Sequence, residues 1–355
     1  MVKKILQLLF FVGLGVVILK LVYDNQNTAF QEQCRLDGVP TDQCSLSDKL
    51  LHDFSTVHVG WLSAVVLAFT LSNIFRALRW QMLLKPLDFH PKFSNSFLTI
   101  LLGYFANLGF PRMGEVVRAG SLARYEKLPL EKVMGTLVID RLMDFVCLGL
   151  VVGLAFLLEG QTLLTFLSES GSGGEGSGHT PILLLALFVF VAGIATMYLL
   201  RKWLLTLKIV QKLLKLLMGF WEGLKSVFRM KNPPLFIAYS LGIWLMFYLQ
   251  CYFNLKAFDP TAHLSASAAL MVFVFGTLGF VIPSPGGMGT FHALCIAGLA
   301  LYGINGGDAF SYANIAFFTI QIFYNVVAGI ASLILLPLLN RSKEKEAAAS
   351  LGSSN

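Results

Sequence analysis

Residues 264–302 read LSASAALMVFVFGTLGFVIPSPGGMGTFHALCIAGLALY. Two apolar runs, Leu264 to Ile282 and Thr290 to Tyr302, flank the stretch Pro283-Ser284-Pro285-Gly286-Gly287-Met288-Gly289. Prolines and glycines packed this densely end a helix and let backbone approach a ligand closely. The segment therefore predicts a broken helical hairpin that enters a bilayer, breaks at Pro283 to Gly289, and leaves. Irregular backbone at that depth is tolerated only where protein or a watered cavity satisfies it. A helix restarting near Thr290 would aim its amide groups at the break, which suits an anion. The other reading is a plain tight turn between two spans.

The rest of the chain supports lipid as the solvent. Hydrophobic residues make up 56% of it and charged residues only 13%, too few to cover a soluble core. Several apolar runs reach about 20 residues, the length that crosses a ~30 Å hydrocarbon layer. Expected full spans are Ile5 to Val22, His58 to Phe75, Val133 to Leu158, Pro181 to Leu200, Leu235 to Phe253 and Ala309 to Leu339. The first is basic at its start, but no small-x-small cleavage site follows it, so an uncleaved span is expected rather than a signal peptide. Between spans, 23–57 reads as a polar extracytoplasmic loop and 168–179 as a Gly/Ser-rich one. Residues 203–229 place Lys208, Lys212 and Lys215 on one face, as in a helix lying in the headgroup layer. A single polytopic domain over 1–340 and a short cytoplasmic tail over 341–355 complete the layout.

Phe93 to Phe110 departs from this pattern. It is apolar, yet Lys85 and Lys92 precede it and Arg112, Arg118, Arg124 and Lys127 follow it. A re-entrant hairpin with its tip near Pro111 keeps both basic clusters on the cytoplasmic side, as the positive-inside rule requires. That layout leaves only Lys20, Arg35, Lys49 and Lys256 outside and Arg141 within a span, out of 27 Lys and Arg. It also puts both termini in the cytoplasm. The expected fold is thus all-α, with about six full transmembrane helices plus two re-entrant or broken hairpins, eight hydrophobic segments in all. Leu108-Gly109-Phe110-Pro111-Arg112-Met113-Gly114 is echoed by Leu278-Gly279-Phe280, Pro285, Met288 and Gly289. Inverted repeats whose broken helices meet near the midplane mark transporters; a chance match of so short a motif is the alternative.

Charged side chains gather between Asn107 and Asp144. Pro111 and Gly114 interrupt a helix there; Arg112, Glu115 and Arg118 follow, and Asp140 and Asp144 share a face beside Arg141. Intramembrane charge is costly unless paired or watered, which makes it a functional candidate by default. A guanidinium fork also matches a phosphate bidentately. The competing reading is a structural lock in which Arg141 pairs with Asp144 and Arg118 with Glu115. Substrate-binding candidates are accordingly Asn107, Arg112, Glu115, Arg118, Arg141 and Asp144 on one side, and Gly286, Gly287, Gly289 and Thr290 on the other. Pro111, Gly114, Asp140, Pro283 and Pro285 are candidates for gating or structural roles.

Other chemistries find little support. Gly171, Gly173 and Gly176 match a dinucleotide fingerprint formally, but no strand precedes them. There is no P-loop, zinc-ligand set or nucleophile elbow, so neither a metal, a cofactor nor a catalytic residue is expected. The formal charge of +7 suits an anionic membrane surface better than nucleic acid, because the basic residues are scattered among the spans. Cys34 and Cys44 fall in the outer loop, where an oxidising compartment could join them; Cys147, Cys251 and Cys295 read as packing residues.

Four motifs in order carry a wider similarity. They are Arg76-x-x-Arg79-Trp80, Asn107-x-x-x-Pro111-Arg112-x-Gly114-Glu115-x-x-Arg118, Arg141-x-x-Asp144, and Pro285-Gly286-Gly287-x-Gly289-Thr290-Phe291. Together they resemble the lysylphosphatidylglycerol synthase transmembrane-region family, the flippase-like domain proteins, over nearly the whole chain. The resemblance implies a bacterial plasma (inner) membrane protein that translocates a lipid with an anionic headgroup. In fused synthases a soluble aminoacyl-transferase domain follows such a region; this chain ends soon after its last span, so lipid aminoacylation by it alone is not expected. His292 stands where the resemblance leads one to expect an acidic residue. Membrane lipids and a lipid-modifying enzyme are the implied partners. Two further readings are an enzyme acting on lipid or polyprenyl phosphate, with Glu115 or Asp144 as base, and a non-transporting partner of a lipid synthase or glycosyltransferase.

Overall fold

The computed structural model describes residues 20–21, 23–24, 26–28, 30–31, 34, 45–109, 113–171, 231–282 and 284–352. The chain divides into two compact units, Met1–Phe156 with Pro234–Asn355, and Leu157–Pro233. In the described part of the first unit the regular secondary structure is all helix. It contains α1 (Leu46–Thr56), α2 (Val59–Leu84), α3 (Phe93–Gly109), α4 (Met113–Glu126), α5 (Leu130–Gly171, which runs on into the second unit), α6 (Pro233–Ala257), α7 (Ala266–Val281), α8 (Thr290–Ala300), α9 (Gly306–Phe317) and α10 (Asn325–Gly352). Of the second unit, only the end of α5 and residues 231–233 are described.

Among the described residues, four segments are long and apolar enough to cross a bilayer: Val59–Leu87, Leu130–Thr165, Pro233–Ala257 and Gly306–Arg341. They correspond to four of the six expected spans. Of the other two, 181–200 lies outside the described residues and 5–22 does so except for 20–21; the interfacial helix expected at 203–229 is also outside them, and in the loop expected at 168–179 residues 168–171 instead end α5. Large apolar side chains such as Phe145, Leu150 and Leu154 stay exposed on α5, as a lipid-facing surface requires. The protein is a multi-pass membrane protein.

Two boundaries differ from expectation. The second span does not end at Phe75; α2 runs on to Leu84 and buries Arg76 and Arg79 inside the bundle. The charge rule misplaces them because it counts basic residues without seeing that carboxylates wait on a neighbouring helix. Residues 23–57, read as a loop, contain α1. Ser45 caps that helix by accepting a hydrogen bond from the Asp48 amide at 3.2 Å, and Leu46 buries its apolar face. Lys49 on α1 bridges Asp53 and Asp308, each at 2.7 Å. Burial alone would lower the Lys49 pKa, but the two carboxylates outweigh it and the amine is held above its ordinary value. In the same region Cys34 is buried and disulfide-bonded, while Cys44 lies outside the described residues.

Both hairpins are helix–break–helix structures. The arms α3 and α4 have 17 and 14 residues, and α7 and α8 have 16 and 11. At about 1.5 Å per residue none is as long as a ~30 Å layer is thick. The arms nest through glycine: a Cβ on Gly103 would stand 2.8 Å from the Gly114 carbonyl, and one on Gly279 would stand 2.7 Å from the Phe291 Cα. Asn107 finishes the first turn by accepting from the Gly114 amide at 2.7 Å. At the far end of that hairpin Asn95 and Asn340 exchange amide bonds of 3.0 and 2.8 Å, tying α3 to α10. The last span changes gait midway: Phe318–Tyr324 forms a π-helical stretch between α9 and α10.

α2 and α6 run antiparallel. Trp61 stacks on Phe253, Phe69 on Phe247 and Phe75 on Tyr239, and the His58 amide donates to the Ala257 carbonyl at 2.9 Å. Gly114→Ala should overpack the first hairpin and cost about 1–3 kcal/mol, read as a lowered melting temperature in detergent. Gly120→Ala, whose Cβ meets nothing within 4 Å, should leave melting unchanged or raise it.

Candidate functional site

One turn of α2 carries Arg76, Arg79 and Trp80 on a single side, and two turns of α5 carry Thr136, Asp140 and Asp144 opposite them. The i, i+4 spacing on each helix brings these sets face to face. Trp80 Nε1 donates to Thr136 Oγ1 at 3.0 Å and fixes the register. Arg79 then forks onto both carboxylates, reaching Asp140 Oδ1 at 2.6 Å and Asp144 Oδ1 at 2.7 Å. It is wholly buried and also donates to Ser240 Oγ of α6 at 3.3 Å. Arg76 meets Asp144 Oδ2 at 2.9 Å and Asp140 Oδ2 at 3.6 Å.

From the first hairpin, α4 adds Arg118, which pairs with Asp140 Oδ2 at 3.2 Å and lies over the Trp80 ring at 3.9 Å from its centroid. Two of its donors, Nε and Nη2, are buried without a protein partner. Arg141 turns to the outside of this core. Its Nε reaches Glu115 Oε1 at 2.6 Å and its Nη1 lies 3.6 Å from Asp144 Oδ2. Both Arg141 and Glu115 are about two-fifths exposed, at 43% and 40%. The pairing therefore runs between helices. Arg118 answers Asp140 rather than Glu115, and the closest partner of Arg141 is Glu115 rather than Asp144. Among the described residues four guanidiniums face three carboxylates, an excess of one positive charge.

The cluster closes one end of a cavity of about 690 Å3 within the first unit. Arg76, Glu115, Arg141 and Asp144 are exposed to it, with Asn107 and Tyr104 beside them. The walls also carry aromatic rings, with Phe247 beside Arg76 and Trp244, Phe273, Phe280 and Phe291 elsewhere in the lining. The break of the second hairpin forms part of the lining through Gly286 and Gly287, both at positive φ (57° and 82°) where an L side chain is strained. A Cβ on Gly286 would lie 3.4 Å from Leu108, so the two hairpin tips meet at the cavity.

Of the residues expected at a substrate, Asn107, Glu115, Arg141, Asp144, Gly286 and Gly287 border this cavity. Arg118 is sealed beneath it. Thr290 is used internally: its hydroxyl donates to the Gly279 carbonyl at 2.8 Å and meets Ser284 at 2.8 Å, locking the break. Gly289, at φ 79°, precedes it as the cap of α8, and Pro285 opens the 3-10 turn with Gly286 and Gly287. Gly114 shapes the first hairpin, and Asp140 sits at the centre of the cluster. Pro111, Arg112 and Pro283 lie outside the described residues. His292 is buried against Phe317, with ring centroids 4.9 Å apart.

Sequence reading did not weigh Gln250, Asn254 and Gln321, which also border the cavity. Their signal is a carboxamide standing alone within an apolar span. Among the described residues no group of three or more His, Cys, Asp or Glu converges as a metal would need.

The geometry can be set beside known proteins. The family model described as "Lysylphosphatidylglycerol synthase TM region" matches residues 47–329, which include both hairpins, the cluster and every residue named at the cavity. The UPF0104 membrane protein MJ1595 of Methanocaldococcus jannaschii is 35% identical over 86 residues, 22% of this chain and 26% of that protein. The match thus spans about a quarter of that relative's length. No solved structure matches. With the family model covering most of the chain, including the charge cluster and both hairpins, this chain belongs to the lysylphosphatidylglycerol synthase TM region family.

Proposed function

We propose that this protein is a flippase or carrier for a membrane lipid with an anionic, phosphate-bearing headgroup. The observation that carries the reading is the two-sided cavity. One side is the outer layer of a cluster of four arginines against three carboxylates, and most of the rest is aromatic and apolar, with Gln250, Asn254 and Gln321 among the polar exceptions. An uncompensated positive charge in a low-dielectric site is costly, and a phosphodiester brings the missing negative charge. Arg141 and Arg76 are the arginines placed to meet it. The aromatic walls suit the glycerol and the first methylenes of the chains, which need no polar partners.

Movement is assigned to the two hairpins, which border the cavity and whose arms approach most closely at Gly103, Gly114 and Gly279. In this reading they enter from opposite sides as an inverted pair, in the bacterial plasma membrane with both termini cytoplasmic. The enzyme that makes or modifies the lipid is the partner this reading implies.

In proteoliposomes, the protein should carry fluorescent phosphatidylglycerol between leaflets, read by quenching of the outward-facing headgroup. Arg141→Gln should slow that movement about tenfold or more while changing stability by less than about 1 kcal/mol, because its ion pair is half exposed. Unchanged transport in Arg141→Gln, or none of any anionic lipid by the wild type, would sink the proposal.

Asp140→Asn separates lock from site. It leaves three arginines facing one remaining buried carboxylate and should cost about 3–5 kcal/mol, seen as a large drop in melting temperature. A variant that melts like wild type would show that the cluster does not hold the helices together.

A further inference from the structure

The three carboxylates of the cluster are not placed alike. The side chains of Asp140 and Asp144 are 1% and 12% exposed, and both hold Arg76 and Arg79 where α2 meets α5. Glu115, in the first turn of α4, is 40% exposed and meets Arg141 at 2.6 Å. An ion pair this open to solvent contributes little to stability. Its effect falls instead on the cavity, which both partners border.

Among the described residues, the charged side chains lining the cavity are Arg76, Arg141, Glu115 and Asp144, and they cancel. Arg79, Arg118 and Asp140 stand behind them and leave one positive charge over. Without Glu115 the excess would be two. Tyr104, Asn107, Gln250 and Gln321 add hydrogen-bonding groups to the lining but no formal charge. Arg141 gives its Nε to Glu115, while its Nη1 is 3.6 Å from Asp144 Oδ2, past the length of a hydrogen bond. A phosphate oxygen meeting Arg141 at that edge therefore shares the guanidinium with the Glu115 carboxylate.

We infer that Glu115 sets the charge limit of the site: by sharing Arg141 it admits a headgroup with one negative charge and rejects one with two. This rests on the flippase reading above. A single anionic charge brings the cluster to neutrality. A phosphate monoester carries close to two charges above its second ionisation, near pH 6. It would leave one of them uncompensated in a low-dielectric site, beside a carboxylate of the same sign. A like charge set against the wrong ligand gives specificity without any added contact to the right one.

The test uses the purified full-length protein in detergent at about pH 8.5, where a phosphate monoester is doubly charged. Dioleoylphosphatidylmethanol, with one charge, and dioleoylphosphatidic acid, with two, compete against fluorescent phosphatidylglycerol, read by anisotropy. Wild type should favour phosphatidylmethanol about tenfold or more. Glu115→Gln keeps the size of the side chain and removes its charge. It should bring the two lipids to parity or reverse their order, by tightening phosphatidic acid more than phosphatidylmethanol. Glu115→Asp keeps the charge and should keep the wild-type order. Both variants should melt like wild type, because the pair is exposed. A wild type that binds phosphatidic acid as tightly as phosphatidylmethanol overturns this inference and leaves the flippase reading standing. An unchanged preference in Glu115→Gln, or parity in Glu115→Asp, overturns the assignment to the Glu115 charge. Displacement of the fluorescent lipid by neither anion overturns the flippase reading itself.

Discussion

A carboxylate removed from water must be given back what water supplied, and Asp140 is given it by three arginines from two other helices. It is 0% exposed, yet Arg79 and Arg76 of α2 and Arg118 of α4 all reach it. The cost of desolvating such a group is several kcal/mol, offset only when geometry is tight and the remaining hydrogen bonds are made. Much of the architecture follows from meeting that condition. α2 must extend past the length a bilayer needs, so that its second arginine is level with Asp140. α4 must return from the hairpin tip in the register that points Arg118 at the same oxygen. Trp80 fills the space between them and bonds Thr136.

Once the cluster is fixed, the cavity beside it has little freedom. Its charged end is the outer layer of the same network, where Arg141 and Glu115 remain half exposed while Asp140 and Arg79 do not. One wall is set by α6, held antiparallel to α2 by stacked aromatic pairs. Its remaining side is the broken segment at Gly286 and Gly287, where positive φ angles let the chain turn inside an apolar environment. The Thr290 hydroxyl and the 3-10 turn supply hydrogen bonds that a continuous helix would otherwise have made.

The sequence makes some of this legible and conceals the rest for definable reasons. Apolar length reveals α2, α5, α6 and the last span, and the Pro/Gly cluster reveals the second hairpin, because those signals are local. The basic flanks of Phe93 to Phe110 reveal the first hairpin for the same reason. Arg76 and Arg79 defeat the charge rule: an arginine at the end of an apolar run looks the same whether it reaches cytoplasm or a buried aspartate on another helix. Pairing partners are hidden likewise. The spacing of Glu115 and Arg118 favours a bond along one helix, whereas the fold supplies each with a better partner across helices. Gln250 and Asn254 are legible only in hindsight, since a lone amide in a span reads equally well as packing.

The π-helical stretch at Phe318–Tyr324 bears on how the last span can vary. Its hydrogen bonds close over one residue more than those of an α-helix, so it behaves as a single-residue insertion absorbed without a loop. Before it, Tyr312 and Phe317 face the cavity; after it, Asn340 faces Asn95. Deleting one residue from the stretch would restore plain α geometry and turn everything downstream by about 100°. Asn340 would then leave its partner, and the first hairpin would lose its anchor. Length in this stretch is therefore held more tightly than composition: exchange of one apolar side chain for another is a local event, whereas a codon gained or lost rotates the far half of the span.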